Sequence, residues 1–440
     1  MTEKNQKQKT IMGRIQGIFS SILPSIRIVW LSVFVFILWR GLGWDTFFSI
    51  YVKSIVDNVF WISIISAILS FSKMFFSITV GEEDDHTNIR SVIILSKLVY
   101  VITGVLYFLA GLTGELWLLI AAVICNGFAS ASLITTYQTF IRKHTTSPTR
   151  GRAFWLYFSA GNLAYVVGAL IASGLILFIK LHFLFLFISI FAIISLFIDE
   201  RLPGLSKTKI RELFWKEKFL HKFFREVFSF RPIKQVVVTL KTYSSRMYYA
   251  LGFEILFNVL NYIGFIFIPI VSIANNLSLS QVAIIFAVMR LPYVIDIFIG
   301  DLSGKNSKRK FLFFVLLFMS FLYLLIGYNE SFRNVIIITF GISLWLSLMR
   351  PVISAYISDC TNPKEEGTIS GVGEFVGKVW EIIGVLLFGA LSIIFGSIQI
   401  SFIIIGIIIL AISVIGIIKR YNLFQKKWID IVFPISEPKV

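Results

Sequence analysis

The chain has 440 residues, of which 57% are hydrophobic and 15% charged, with a net charge of +17 and a mean hydropathy of +0.85. A soluble domain carries about a quarter charged residues, and apolar runs of this length need lipid, so an array of soluble domains is excluded. The basic excess sits in particular loops, which points to membrane topology rather than nucleic acid, and Cys125 and Cys360 offer neither a disulfide framework nor a metal spacing.

Residues 1–27 set Lys4, Lys7, Lys9, Arg14 and Arg27 against Glu3, a basic tail expected on the cytoplasmic side. No small-residue cleavage site follows the first apolar run, which reads as a retained span. Spans are predicted at 28–52, 59–80, 91–111, 115–139, 153–178 and 183–199, then at 245–269, 279–303, 311–327, 334–357, 368–394 and 399–418. Each is close to the ~20 residues that a helix needs to cross. None shows a two-residue alternation, and backbone groups in lipid must bond within their own segment, so all are read as helices.

The loops alternate in charge. Arg142, Lys143, Arg150 and Arg152 follow span four, Lys305, Lys308, Arg309 and Lys310 follow span eight, and Asn275 to Gln281 has no base at all. Both termini and the middle connection are therefore expected in the cytoplasm. The expected organisation is a six-helix half over 28–199, a basic linker over 200–243, a second half over 244–418 and a tail over 419–440. The linker mixes Phe214, Trp215, Phe219, Phe223 and Phe224 with lysines and arginines, as an amphipathic segment on an anionic lipid leaflet would.

The halves repeat. Gly81 and Gly300 are 219 residues apart, as are Arg90 and Arg309, and Gly151, Gly161 and Gly168 recur 216 residues on at Gly367, Gly377 and Gly384. Three glycines at one offset indicate two copies of one unit. The turn Gly300-Asp-Leu-Ser-Gly304-Lys-Asn-Ser-Lys308-Arg309 and its fainter copy with Gly81, Asp85 and Arg90 resemble the signature turns of the major facilitator superfamily. That resemblance implies an all-α membrane protein of twelve helices in two pseudo-symmetric bundles. It further implies helices one, four, seven and ten around a central cavity and three, six, nine and twelve outside. Among its members the chain looks most like multidrug and solute efflux carriers, although it lacks the proline of their helix-five signature at Gly168-Ala169. Asn126-Gly127 stands where an arginine would be expected on helix four.

A charged side chain in mid-membrane costs about 2.5–3.5 kcal/mol on insertion scales, so each should face a cavity or a partner. Span one holds Arg40 and Asp45, span seven Glu254, Asn258 and Asn261, span eight Arg290 and Asp296, span ten Arg350, and span eleven Glu374, Lys378 and Glu381. Glu254, Asn258 and Asn261 share a helix face, which fits cavity lining better than interhelical bonding alone. Glu374 and Lys378 are spaced to pair, which would leave Glu381 without a local partner and free to carry a proton. Arg40 either pairs with a buried acid or clamps an anionic solute. Lys97 in span three is expected to snorkel to the cytoplasmic surface.

The expected solute and ion pathway therefore comprises Arg40, Asp45, Asn126, Glu254, Asn258, Asn261, Arg290, Glu374, Lys378 and Glu381. A cytoplasmic gate of Gly81, Asp85, Arg90, Asp296, Gly300, Gly304, Lys308, Arg309 and Arg350 is expected beside it, with Lys73 as a first-half counterpart of Asp296. Arg290 stands two residues before Pro292 and Arg350 immediately before Pro351, where kinks are expected. The expected activity is secondary transport of a small amphipathic solute across the cell membrane, proton-coupled and outward. Uptake of an anionic metabolite through Arg40 and Arg290, or a receptor on the same fold, are the alternatives. No enzyme activity, cofactor or metal is expected, and the chain is expected to act as a monomer.

Overall fold

The computed structural model describes residues 24–83, 89–145, 147–201, 244–295, 308–360 and 366–420. Helix α1 comprises Pro24–Trp39, a π-helical turn Arg40–Trp44 and Asp45–Ile55. The first half continues with α2 (Val59–Glu83), α3 (Ile89–Thr113), α4 (Leu116–His144), α5 (Ser147–Leu175) and α6 (Leu181–Asp199). The second half has α7 (Ser245–Ala274), α8 (Leu279–Ile295), α9 (Lys308–Tyr328), α10 (Phe332–Asp359), α11 (Glu366–Ile394) and α12 (Ile398–Arg420). Among the described residues, 11 helices are long and apolar enough to cross a membrane, and the shorter Leu279–Val294 lies where the eighth span was expected. Most helices outrun their predicted spans by a few residues, because polar side chains continue the helix into water. Helices α7, α8 and α10 stay helical through Pro269, Pro292 and Pro351.

The packing repeats with the sequence. In the first half α1 packs on α5, α2 on α4, and α3 on α4 and α6; in the second, α7 packs on α11, α8 on α10, and α9 on α10 and α12. Each of these contacts maps onto the other half by adding six to the helix number, whereas α7 on α10 is a contact of the second half without so close a counterpart in the first. The halves meet through α2 against α11 and α5 against α8, two contacts that the same operation exchanges.

The glycine repeat has a steric cause. A Cβ on Gly168 would meet the Gly41 carbonyl carbon and the Leu42 nitrogen at 2.9 Å, and one on Gly161 would meet Ile37 at 3.1 Å, so both let α5 close on α1. In the other half a Cβ on Gly377 would meet Asn258 Nδ2 at 2.5 Å and one on Gly384 would meet Val259 at 2.7 Å, so both let α11 close on α7. Small residues let helices approach where lipid supplies no hydrophobic drive between them.

The outer helices carry rows of exposed apolar side chains, such as Phe183, Ile190, Ile193 and Phe197 on α6 and Phe314, Phe318 and Phe321 on α9. The inner helices α1 and α7 each have a long stretch without them. Residues 39–52 of α1 and 262–272 of α7 are buried without a break, whereas Glu254, Asn258 and Asn261 lower on α7 are half-buried. The Asp45–Ile55 stretch of α1 also touches α7 and α8 of the other half. The halves are therefore closed together at the end remote from the chain termini.

Candidate functional site

The π-helical turn builds the first cluster. Residues five apart in an α-helix lie about 140° apart around its axis, so Arg40 and Asp45 would face different ways. Widening the turn brings them to one face, where Arg40 Nε and Nη2 donate to the two Asp45 oxygens at 2.9 and 3.1 Å. Arg40 Nη1 lies 3.4 Å from Ser130 Oγ, and the guanidinium sits over Trp44 at 5.0 Å and over Tyr165 at 5.7 Å. The Thr46 hydroxyl donates to the Gly41 carbonyl at 2.5 Å, and a Cβ on Gly41 would meet the Tyr165 carbonyl oxygen of α5 at 2.7 Å. Of the two roles open to Arg40, this geometry selects the buried ion pair, because its charge is neutralised within its own helix. Trp44 then donates to the Tyr107 hydroxyl at 3.0 Å, which also receives Asn126 Nδ2 at 3.3 Å.

The second cluster joins the halves. Glu381 of α11 is almost fully buried and accepts from Ser70 of α2 at 2.6 Å and from Lys378 at 2.7 Å. One turn away, the Tyr262 hydroxyl of α7 donates to the Ser66 carbonyl of α2 at 2.9 Å. Lys73, next along the same face of α2, lies half-buried over Trp44 at 5.1 Å and within electrostatic reach of Arg40, Lys378, Asp45 and Glu381. This corrects the expectation that Glu381 has no local partner: Lys378 bonds it three residues on. The Glu374 side chain lies outside the described set. The sequence reading also missed Ser66, Ser70 and Tyr262. A signal was present, since Ser63, Ser66, Ser70 and Lys73 recur at helical spacing along one face of α2.

The third cluster is on α7 and α8. Asn258 Nδ2 bonds both the backbone carbonyl and the carboxylate of Glu254, at 2.8 and 3.0 Å, and the Tyr293 hydroxyl donates to Asn261 Oδ1 at 3.3 Å. Arg290 is half-buried among aromatic faces, 4.8 Å from the Tyr165 ring of the other half, 5.2 Å from Phe286 and 5.4 Å from Phe265. The expected pathway residues Arg40, Asp45, Asn126, Glu254, Asn258, Asn261, Arg290, Lys378 and Glu381 thus fall on α1, α4, α7, α8 and α11, in three clusters around the junction of the halves.

Lys97 does not snorkel. It is 1% exposed and bonds Asp199, the last residue of α6, together with Ser32, while the Tyr137 hydroxyl reaches both Asp199 oxygens at 3.0 and 2.8 Å. Asp199 and Ser32 take the place of water around the buried ammonium, the carboxylate supplying its counter-charge.

The expected gate is only partly described. Lys308 Nζ bonds the Ala355 carbonyl at 3.1 Å and Asp359 at 2.6 Å, and Arg309 stacks on Tyr249 at 3.8 Å. Both contacts stay within the second half, so these two bases tie α9 to α10 and α7 and do not bridge the halves. Arg350 is exposed, with its guanidinium 5.4 Å from the Phe158 ring of the first half. Gly81 falls in α2 and Arg90 in α3, whereas Asp85, Asp296, Gly300 and Gly304 lie outside the described residues, as do nearly all of the basic linker and the N-terminal tail.

The comparisons agree with this architecture. The Major Facilitator Superfamily profile matches residues 29–327 and 250–428. Two solved structures of a POT family transporter, one in complex with a thioalcohol-conjugated peptide and one with 5-aminolevulinic acid, are similar at TM-score 0.70 and 14% identity, covering 91% of this chain and 96% of that one. A mutant of the nucleoside transporter NupG is similar at TM-score 0.69 and 13% identity, covering 91% of this chain and 100% of that one. No curated protein matches the chain in sequence.

Proposed function

Because the chain belongs to the Major Facilitator Superfamily, a family of solute transporters, we propose that it exports a small amphipathic organic solute in exchange for protons, by alternating access. The observation that carries this reading is the bond from Ser70 to Glu381, a buried carboxylate shared between the halves and paired with Lys378. Such a group couples charge to motion. While ionised, Glu381 holds Lys378 and accepts from the opposite half. A proton on it cancels the attraction to Lys378 and alters the link between α2 and α11, and so shifts the balance between the states through which the halves move.

The ion pair of Arg40 with Asp45 fits the same scheme as a fixed element that shapes the wall of the site. Glu254, bonded by Asn258 on the half-open face of α7, is a second group on which a proton could sit within the pathway. The termini and basic loops mark the cytoplasmic side, and the halves are closed at the opposite end, so this state loads its solute from inside the cell.

The test is flux. Purified protein in liposomes under an imposed proton gradient should move amphipathic organic solutes against their own gradients, and collapse of the proton gradient should abolish that movement. Absence of flux for every solute in a broad panel contradicts transport. Flux that is indifferent to the proton gradient contradicts the coupling alone.

A further inference from the structure

Among the described residues, two cations of the site have no carboxylate against them. Asp45 is taken by Arg40 and Glu381 by Lys378, each pair lying within one helix. Glu254 is held by the neutral amide of Asn258. Lys73 and Arg290 are also half-buried at the junction of the halves, and among the described residues neither has a carboxylate within ion-pair distance. Each rests instead on aromatic rings, Lys73 on Trp44 and Arg290 on Tyr165, Phe286 and Phe265.

Ring faces attract a cation, but they do not replace a counter-charge in a region where charge is costly. Lys73 also lies within electrostatic reach of two further cations, Arg40 and Lys378, as well as of Asp45 and Glu381, each already held by one of those cations. The two cations come from opposite halves. They are joined by an unbroken run of contacts, from Lys73 to Trp44, Trp44 to Arg40, Arg40 to Tyr165 and Tyr165 to Arg290.

We infer that the solute is an organic anion, its acidic charge balanced by Lys73 and Arg290 and its apolar body lying against the half-buried Tyr165 ring between them. Arg40, the cation most prominent in the sequence, is not the anion-binding group, since its guanidinium fork is already filled by Asp45. The inference rests on the carrier reading above and adds the chemical class of the cargo. It also accounts for the placement of the cations, because an anion that engages both halves lowers the charge penalty at the junction across which they must move.

The experiment measures binding of three near-isosteric probes to the full-length detergent-purified protein: phenylacetate, phenylacetamide and 2-phenylethylamine. Phenylacetate should bind about tenfold or more tighter than the amide, the effect of one charge-assisted hydrogen bond, and the amine weakest of all. Lys73→Gln and Arg290→Gln should each reduce the preference for acid over amide toward parity, while Lys180→Gln, an exposed charge at the start of α6, should leave it unchanged. Equal affinities for the three probes, no binding of the acid, or an acid preference that survives in both variants overturns the inference. Flux of uncharged solutes alone would remove the anion class and leave the carrier standing, whereas absence of all flux would remove both.

Discussion

Gly389 offers a way to pry the halves apart at one defined place. A Cβ built there would lie 2.6 Å from the Cβ of Ser63, a fully buried residue of α2 in the other half. Carbon atoms pack at about 3.5–4.0 Å, so Gly389→Ala asks the α2–α11 contact to open by about 1 Å. Overpacking of this kind costs about 1–3 kcal/mol, and here the cost falls on the state in which the halves touch at this level. If the opposite state is free of the clash, the equilibrium shifts by roughly 5- to 150-fold toward opening at the end remote from the termini. The assay is maleimide labelling of a single cysteine at Ile50, which lies on the α1 stretch that touches the other half and is 8% exposed, in a background lacking Cys125 and Cys360. Gly389→Ala should raise the labelling rate several-fold and slow solute flux, and Ser63→Gly added to it should restore both. Labelling and flux within about twofold of the parent would refute the idea that this contact holds the remote end closed.

Two further predictions concern stability. Lys97→Met removes the ammonium from Asp199, leaving a buried carboxylate with Tyr137 as its remaining donor, and should cost about 3–5 kcal/mol in the thermal unfolding of the detergent-solubilised protein. The double change Lys97→Met with Asp199→Leu should regain most of that loss, because replacing both partners removes the stranded charge. Gly168→Ala should destabilise by about 1–3 kcal/mol, since its Cβ would meet backbone atoms of α1 that cannot swing aside. Gly174→Ala, with nothing within 4 Å of the added atom, should leave the unfolding midpoint unchanged or slightly raised; equal effects at the two glycines would refute the packing account.

Much of the fold was legible because membrane helices announce themselves through length and hydropathy, and because the repeat of Gly161 and Gly168 at Gly377 and Gly384 follows from equivalent packing of α5 on α1 and α11 on α7. The eighth span was the least regular, with an arginine and a proline breaking a run that its described part, Leu279–Ile295, only partly covers. The site was legible in its membership more than in its pairings. Arg40 and Asp45 read as separate charges because an α-helix would point them apart, and only the π-helical turn joins them. Glu381 read as unpartnered because i and i+4 spacing favoured Glu374 for Lys378, whereas Lys378 bonds the buried Glu381 three residues on. Lys97 read as a surface-seeking cation because Asp199, 102 residues away in sequence, could not be placed beside it without knowing that α3 packs on α6. Ser66, Ser70 and Tyr262 carry no charge to draw attention, yet they take part in hydrogen bonds between the halves.

The most direct measurement of the central claim follows lumenal pH in proteoliposomes while solute is added, comparing the parent with Glu381→Gln. The amide keeps the bond from Ser70 available but can neither hold Lys378 by charge nor take up a proton. Solute should trigger a pH change in the parent, and in Glu381→Gln that change should fall at least tenfold while downhill solute exchange persists. A parent and variant that move protons alike would contradict the assignment of Glu381 as the group linking protonation to the motion of the halves.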